Sequence, residues 1–351
     1  MFFASQTAAF LVSCLPMPTE PTWRSDGLPA VAEALERPGK ILVTGHLRPD
    51  GDALGSAIAL TRFLNRSGHT AFFTALKTQL GRPGFLVGDD TLVVSHENAI
   101  KKQCNTWVVL DCGDLGRLPE PLRPYAADVH VINIDHHATN TRYGEVNWVE
   151  PSASCTGELV WRLAREMDWP LDRATAEALW VSLVTDTGRF AHDHVRPSSM
   201  QFAADLLDHG VRTSYIDDRL YGSLSANVME LKRRAFASFD SWFDGQAAYI
   251  ALTRRDFHES RANRSDAEDF TDIPRSLDTA RVALFFHEDE NATRCSIRTR
   301  APLDATLLAG HFGGGGHPRA AGCSLDAPLY DAMRAVKEAI YECYDEDEIK
   351  I

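Results

Sequence analysis

The stretch GHLRPDGDALGS, from Gly45 to Ser56, sets one histidine and two aspartates, His46, Asp50 and Asp52, at the corner between an apolar run and a helix. In a nucleotide-binding α/β protein such a corner carries glycines that admit phosphate to the backbone. Carboxylates and an imidazole suit a cation instead. Three further stretches repeat the chemistry: Asp111 in VVLDCGD, Asp135, His136 and His137 in INIDHH, and Asp186 in VTDTGRF. Oxygen and nitrogen donors without thiolate favour a hard to borderline divalent ion, Mn²⁺ or Mg²⁺, over structural zinc. The donors outnumber the needs of one ion. Two ions about 3.5–4 Å apart, bridged by a shared aspartate, would use them all and clamp the attacking and leaving oxygens of a phosphoryl displacement. Taken singly, an aspartate at a strand end is more often a helix cap, and paired histidines are more often a solvated loop. The combination, in an order that converges on one sheet edge, is what favours a metal centre.

The elements that must position these groups alternate along the chain. KILVTG reads as a buried strand and AIALTRFLNRSG as a helix closing on Gly68. HTAFFTA, TLVVS, TWVVLDCGD and VHVINIDHH read as further strands, with Asp111 closing the third, and TGELVWRLAREM as a helix. TAEALWVSLVTDTGRFAH is a helical run into the corner at Asp186. Strands alternating with helices predict a parallel, doubly wound α/β sheet with ligands at the carboxyl ends of its strands. This first domain is expected over 27–205 and a helical connector over 206–238. Residues 239–345 return to strands (AAYIALT, ARVALFFHE, ATRCSIRTR), a glycine-rich loop (HFGGGGHPRAAGC) and a final helix, a smaller mixed-sheet α/β domain. The active site is expected in the cleft between the two domains. Residues 1–26 read as a disordered extension, because the apolar start lacks the basic residues of a signal sequence and runs into prolines.

The run Gly313 to Gly316 is costly in conformational entropy, and its expected use is close approach of backbone amides to a ligand. Gly314, Gly315 and Gly316 are followed by His317 and Arg319, while Arg298 and Arg300 alternate on a strand and share a face. Arginine's planar fork fits phosphate, so these residues read as a clamp for a terminal phosphate or nucleotide. Arg189, just past Asp186, either reaches the substrate or pairs with a site carboxylate. The chain has 351 residues and a formal net charge of −13, which argues against a broad grip on long duplex nucleic acid or an anionic membrane. A local clamp removes the need for a basic groove. Seven cysteines, an odd number without a CxxC pair, fit a reducing cytoplasm. No apolar run is long enough to span a bilayer.

The five motifs together resemble those of the DHH phosphoesterase family, named for the triplet Asp135, His136, His137. GHLRPDGDALGS, VVLDCGD, IDHH and VTDTGRF are similar to its four motifs, and GGGGHPRAAG to the signature of the first type of DHH-associated C-terminal domain; the match covers about residues 38 to 330. The resemblance implies that His46, Asp50 and Asp111 hold one ion and that Asp52, Asp111, His136 and Asp186 hold the other, with Asp111 as bridge. His137 would face the substrate phosphate or steady the nucleophilic water, and Asp135 would orient its neighbours. No family ligand is missing. Chain length and the absence of transmembrane segments point, within the family, to the oligoribonuclease and pAp phosphatase (nanoRNase) branch. The implied activity is Mn²⁺-dependent hydrolysis of short RNA oligonucleotides, linear dinucleotides and pAp. A homodimer through the first domain is compatible with this reading. Two alternatives are a sensor of a nucleotide second messenger and a hydrolase of small phosphates such as pyrophosphate. The latter leaves the glycine and arginine clamp unexplained.

Overall fold

Apolar runs in the first half of the chain become strands shielded on both faces. All five residues of TWVVL, 106–110, are buried, as are the last four of KILVT, 40–44, the signature of central strands in a parallel sheet. The computed structural model describes residues 26–76, 80–88, 93–267, 269–344 and 349. The extension expected over 1–26 lies outside the described residues but for Asp26. The chain divides into two units, the first ending at Val211 and the second starting at Arg212.

The first unit runs α1 (Gly27–Leu35), β1 (Lys40–Thr44), α2 (Gly51–Arg66), β2 (Thr70–Thr74), β3 (Val93–Val94), α3 (His96–Lys101), β4 (Thr106–Leu110), β5 (His130–Asp135), β6 (Val146–Val149), α4 (Thr156–Glu166), α5 (Arg173–Asp186) and α6 (Pro197–Asp208). Its six strands lie in the order β3-β2-β1-β4-β5-β6, and every pairing is parallel. The winding reverses between β1 and β4, and ligands of such sheets collect at the carboxyl ends beside that reversal. The expected parallel sheet is therefore present, with one difference of detail: Asp111 follows the fourth strand in chain order, not the third. Asp186 ends helix α5, at the close of the expected helical run.

Helix α2 is buried from Gly51 to Leu64. Gly51 lies against the Thr185 side chain and Gly55 against Ala178 and Ser182, so α2 and α5 run antiparallel. A Cβ on Gly55 would stand 2.4 Å from the Ala178 carbonyl oxygen, closer than any side chain tolerates. This approach brings the start of α2 and the end of α5, with Asp52 and Asp186, to the same place.

The second unit runs α7 (Thr213–Asp217), α8 (Ala226–Ala237), β7 (Asp240–Trp242), β8 (Ala247–Leu252), α9 (Arg254–Ser260), α10 (Asp272–Arg275), β9 (Val282–Glu288), β10 (Thr293–Thr299), α11 (Ala305–His311), β11 (Gly315–His317), β12 (Ala320–Leu325) and α12 (Leu329–Cys343). Its sheet has the order β11-β12-β10-β9-β8-β7. Only β8 and β9 pair in parallel, so the sheet is mixed, as expected. Leu284, Phe286 and Ile297 pack with Leu308, Val336 and Ile340 of α11 and α12. Ile250, Leu252 and Phe285 pack with Val228, Leu231 and Phe270. The glycine-rich segment corrects one expectation: it is half strand, because Gly315–His317 pairs antiparallel with Ala320–Gly322. Cys104, Cys112, Cys155, Cys295, Cys323 and Cys343 are free thiols. Among the described residues no helix is long and apolar enough to cross a membrane.

Candidate metal centre

Each expected ligand is held by a local feature. Asp50 caps α2, its Oδ1 accepting from the amides of Asp52 and Ala53 at 3.0 and 3.1 Å, so the cap reading and the ligand reading both apply to it. Its Oδ2 stands 3.8 Å from His46 Nε2. His46 Nδ1 donates to the Leu47 carbonyl at 2.9 Å, which leaves Nε2 as the nitrogen turned toward Asp50 and Asp111. Asp111 has a left-handed backbone, φ 52°, a conformation that a non-glycine residue holds at a cost and that clusters at functional sites. Its two oxygens face opposite ways: Oδ2 lies 3.6 Å from His46 Nε2, whereas Oδ1 lies 3.7 Å from His136 Nε2 and 3.5 Å from His137 Nδ1.

Asp52 is 1% exposed and carries three hydrogen bonds. Ser182 Oγ donates to its Oδ1 at 2.5 Å and the Gly157 amide at 3.1 Å. The Thr156 amide donates to Oδ2 at 2.7 Å. The two amides open helix α4, whose positive end favours a carboxylate. His136 faces the Ala153 carbonyl through Nδ1 at 3.4 Å. Its Nε2 lies 3.6 to 3.8 Å from carboxylate oxygens of Asp186, Asp111 and Asp52.

Asp135 does not face the cluster. It is fully buried and accepts from the amides of His136 and His137, from His137 Nδ1 at 2.7 Å and from Asn140 Nδ2 at 2.5 Å. Its part is to orient the histidines. The donor atoms assemble into three groups, each within 4.8 Å: His46, Asp50 and Asp111; Asp52, His136 and Asp186; and Asp111, His136 and His137.

Burial opposes a charge on His46, but the carboxylates of Asp111 and Asp50 outweigh it and push the imidazole up to about 11. For His137 burial is likewise overcome, by Asp135 and Asp111, and the ring rises to about 9. Burial, reinforced by Asp111 and then Asp186, drives Asp52 well above the usual carboxylate range. Asp111 is raised by burial and by Asp50. Carboxylates crowded this closely either take up protons or share a cation. Among the described residues, His136 Nε2 and Asp186 Oδ2 are buried without a hydrogen-bond partner, so the residues present fit a divalent cation.

The clamp residues lie in the second unit, apart from Arg189, which is exposed three positions after Asp186. Arg298 stands on β10 in register with Ala320 of β12, half-buried, its Nη1 donating to the Ile297 carbonyl at 3.1 Å. Arg300 lies beyond the strand end, and its guanidinium donates to the carbonyls of Asp278, Arg275 and Leu277. Arg319 donates to the Leu303 carbonyl. Both guanidinium groups thus hydrogen-bond backbone carbonyls of the loops around them. A Cβ on Gly314 would stand 2.3 Å from the Gly322 oxygen, and one on Gly316 2.5 Å from the Ala320 oxygen. The hairpin itself requires both glycines, whereas Gly315 opens onto space. His317 belongs to β11 by its backbone; its side chain lies outside the described residues.

Sequence reasoning missed Ser182, Thr156 and Gly157, which hydrogen-bond Asp52, and Asn140, which hydrogen-bonds Asp135. Only Thr156 and Gly157 carried a signal, as the start of a recognisable helix.

A parallel sheet whose switch point carries a carboxylate and imidazole cluster defines a metal-dependent hydrolase class. Comparison with known proteins makes the assignment specific: residues 40–183 match the DHH family, N-terminal domain, and residues 245–346 the DHHA1 domain. The chain is 31% identical over 320 residues to the bifunctional oligoribonuclease and PAP phosphatase NrnA of Thermus thermophilus, covering 89% of this chain and 93% of that one. It is 27% identical to the protein of the same name from Bacillus subtilis, over 81% of this chain and 89% of that one. A solved exopolyphosphatase-related protein from Bacteroides fragilis superposes with a TM-score of 0.81 at 25% identity, over 90% and 95% of the two chains. The chain belongs to the DHH family and is a metal-dependent hydrolase.

Proposed function

We propose that this protein is a cytoplasmic two-metal phosphoesterase that hydrolyses short oligoribonucleotides and linear dinucleotides to mononucleotides, and pAp to AMP. The observation that carries the reading is Asp111, which groups on one side with His46 and Asp50 and on the other with His136 and His137, His136 in turn grouping with Asp52 and Asp186. That disposition supports the reading of Asp111 as a ligand shared between two ions. The similarity to the two NrnA proteins supports the choice of substrate.

Two divalent cations, Mn²⁺ in this reading, would activate water and absorb charge on the departing oxygen. His46, Asp50 and Asp111 would hold one, and Asp52, Asp111, His136 and Asp186 the other. The remaining work belongs to side chains already in place. Leu47 and Ala153 fix the tautomers of His46 and His136 through their carbonyls. Asp135 holds His137 by Nδ1, directing its other face toward a phosphoryl oxygen. Arg298 and the backbone of Gly315 would suit a terminal phosphate, and Arg189 places a positive charge three residues after Asp186.

The test is a turnover panel with Mn²⁺: pApA, a 5′-phosphorylated pentaribonucleotide, a long RNA, pAp and pyrophosphate, against wild type and Asp111→Ala. Rapid release of mononucleotide from the short RNAs, abolished in the variant, is the expected result. Turnover of pyrophosphate alone, or binding of metal with no turnover of any substrate, overturns the proposal.

A further inference from the structure

Past the end of α5 the chain folds back on the residue that closes it. Gly188, Arg189 and Phe190 all have positive φ, 56°, 59° and 65°, and the turn returns two histidines to Asp186. His192 Nδ1 donates to the Asp186 carbonyl at 3.0 Å. Its ring fills the space over Gly188, where a Cβ would stand 2.4 Å from Nε2. His194 Nε2 lies 3.5 Å from Asp186 Oδ2. The two rings pack on each other with centroids 5.7 Å apart.

His194 repeats the construction of His136. Each ring is anchored on the segment before α4, His136 at the Ala153 carbonyl and His194 at the Ser154 backbone. Each presents Nε2 to the same oxygen, Asp186 Oδ2, at 3.6 and 3.5 Å. Among the described residues both nitrogens and that oxygen are buried without a hydrogen-bond partner. The same segment holds Asp52 through the amides of Thr156 and Gly157. One stretch of backbone therefore registers His136, His194 and Asp52 together. The match to the DHH domain ends at residue 183, before Asp186 and His194.

We propose that His194 is a positioning residue: with His192 it holds the Asp186 carboxylate against the cation site formed with Asp52 and His136, and so sets the occupancy of that ion. The inference rests on the two-ion reading above. Groups that orient a ligand in this way are worth about ten- to hundred-fold in metal affinity.

The experiment is Mn²⁺ titration of chelator-stripped full-length protein, followed by electron paramagnetic resonance of the free ion, for wild type, His194→Ala and His194→Asn. Wild type is expected to bind two ions. His194→Ala should weaken one of them about ten- to hundred-fold and leave the other unchanged, and His194→Asn, which keeps a donor, should recover part of the loss. In turnover assays the defect should lie in the Mn²⁺ dependence of kcat and vanish at excess Mn²⁺, with KM for pApA unchanged. Two ions bound by His194→Ala with wild-type affinity overturn the inference and leave the proposed function standing. A raised KM with metal binding intact also overturns it, because His194 would then touch substrate. A wild type that binds no second ion overturns both. Circular dichroism of the two variants separates misfolding from a local effect, and if His194→Ala does not fold, His194→Asn alone decides by the same criteria.

Discussion

A carboxylate with 1% of its surface exposed protonates unless something compensates its charge, and Asp52 is such a group. Burial and the neighbouring Asp111 and Asp186 raise its pKa, while the hydrogen bond from Ser182 works in the opposite direction. Ser182→Ala removes that donor without altering the packing of α2 on α5. It should weaken Mn²⁺ binding by about ten-fold with the melting temperature of the metal-free protein little changed, as isothermal titration will read. The sign of the pH dependence follows from the same group. With Asp52 and Asp111 both raised by burial, a cation must displace protons to bind. Mn²⁺ affinity should therefore climb as pH rises from the acid side, with protons released to buffer. The cluster itself was legible in the sequence because Asp and His gathered at the corners of an α/β sheet suggest a cation. Ser182 was not: a serine inside a helix is commonplace, and only the packing of α5 against α4 and α2 puts its hydroxyl on Asp52.

Helices α2 and α5 meet through glycine, and their separation decides where Asp52 and Asp186 stand. Gly55→Ala would place a Cβ 2.4 Å from the Ala178 oxygen and 2.9 Å from the Ser182 nitrogen. Backbone cannot give way as a flexible side chain does, so the helices must part, at about 1–3 kcal/mol. Denaturant unfolding should register that loss, and Mn²⁺ affinity should fall with it because Ser182 moves. A glycine replaced without effect on either would show that the seam has slack. At this scale the sequence was readable where patterns are strong. The central strands β1, β4 and β5 are apolar runs, and α4 is an amphipathic helix with recognisable ends. The edges were opaque for physical reasons. Strand β6 is four residues long and includes Asn147, whose amide and carbonyl oxygen are used by loop contacts to Gly144. Strand β11 is built on Gly315 and Gly316, which have no side chains to alternate. Pairing with β12, not propensity, makes it a strand.

The two units answer to different chemistry, and this allows them to be perturbed separately. The first carries the carboxylate and imidazole cluster, so a metal that binds there only in the folded state would stabilise it by about 2.7 kcal/mol at a free concentration near 100 Kd. The second carries His287 on β9, set beside Phe285 and Phe257 and opposite Arg294. Burial, and then the charges of Arg264 and Arg294, push its pKa down to about 4. An imidazole with a folded pKa below its unfolded value of about 6.5 is neutral in the native state and takes up a proton on unfolding. Its contribution is whole above pH 6.5 and is lost as pH falls from about 6.5 toward 4. Calorimetry of the full chain should therefore resolve a transition that Mn²⁺ raises and a chelator lowers, and another that acidification lowers. In His287→Gln the acid-sensitive transition should lose part of its slope between pH 6.5 and 4, because the group that takes up the proton is gone, while the Mn²⁺-sensitive transition stays where it was. A single transition moved equally by metal and by acid would mean that the units unfold as one. An unchanged slope in the variant would assign the acid sensitivity to groups other than His287.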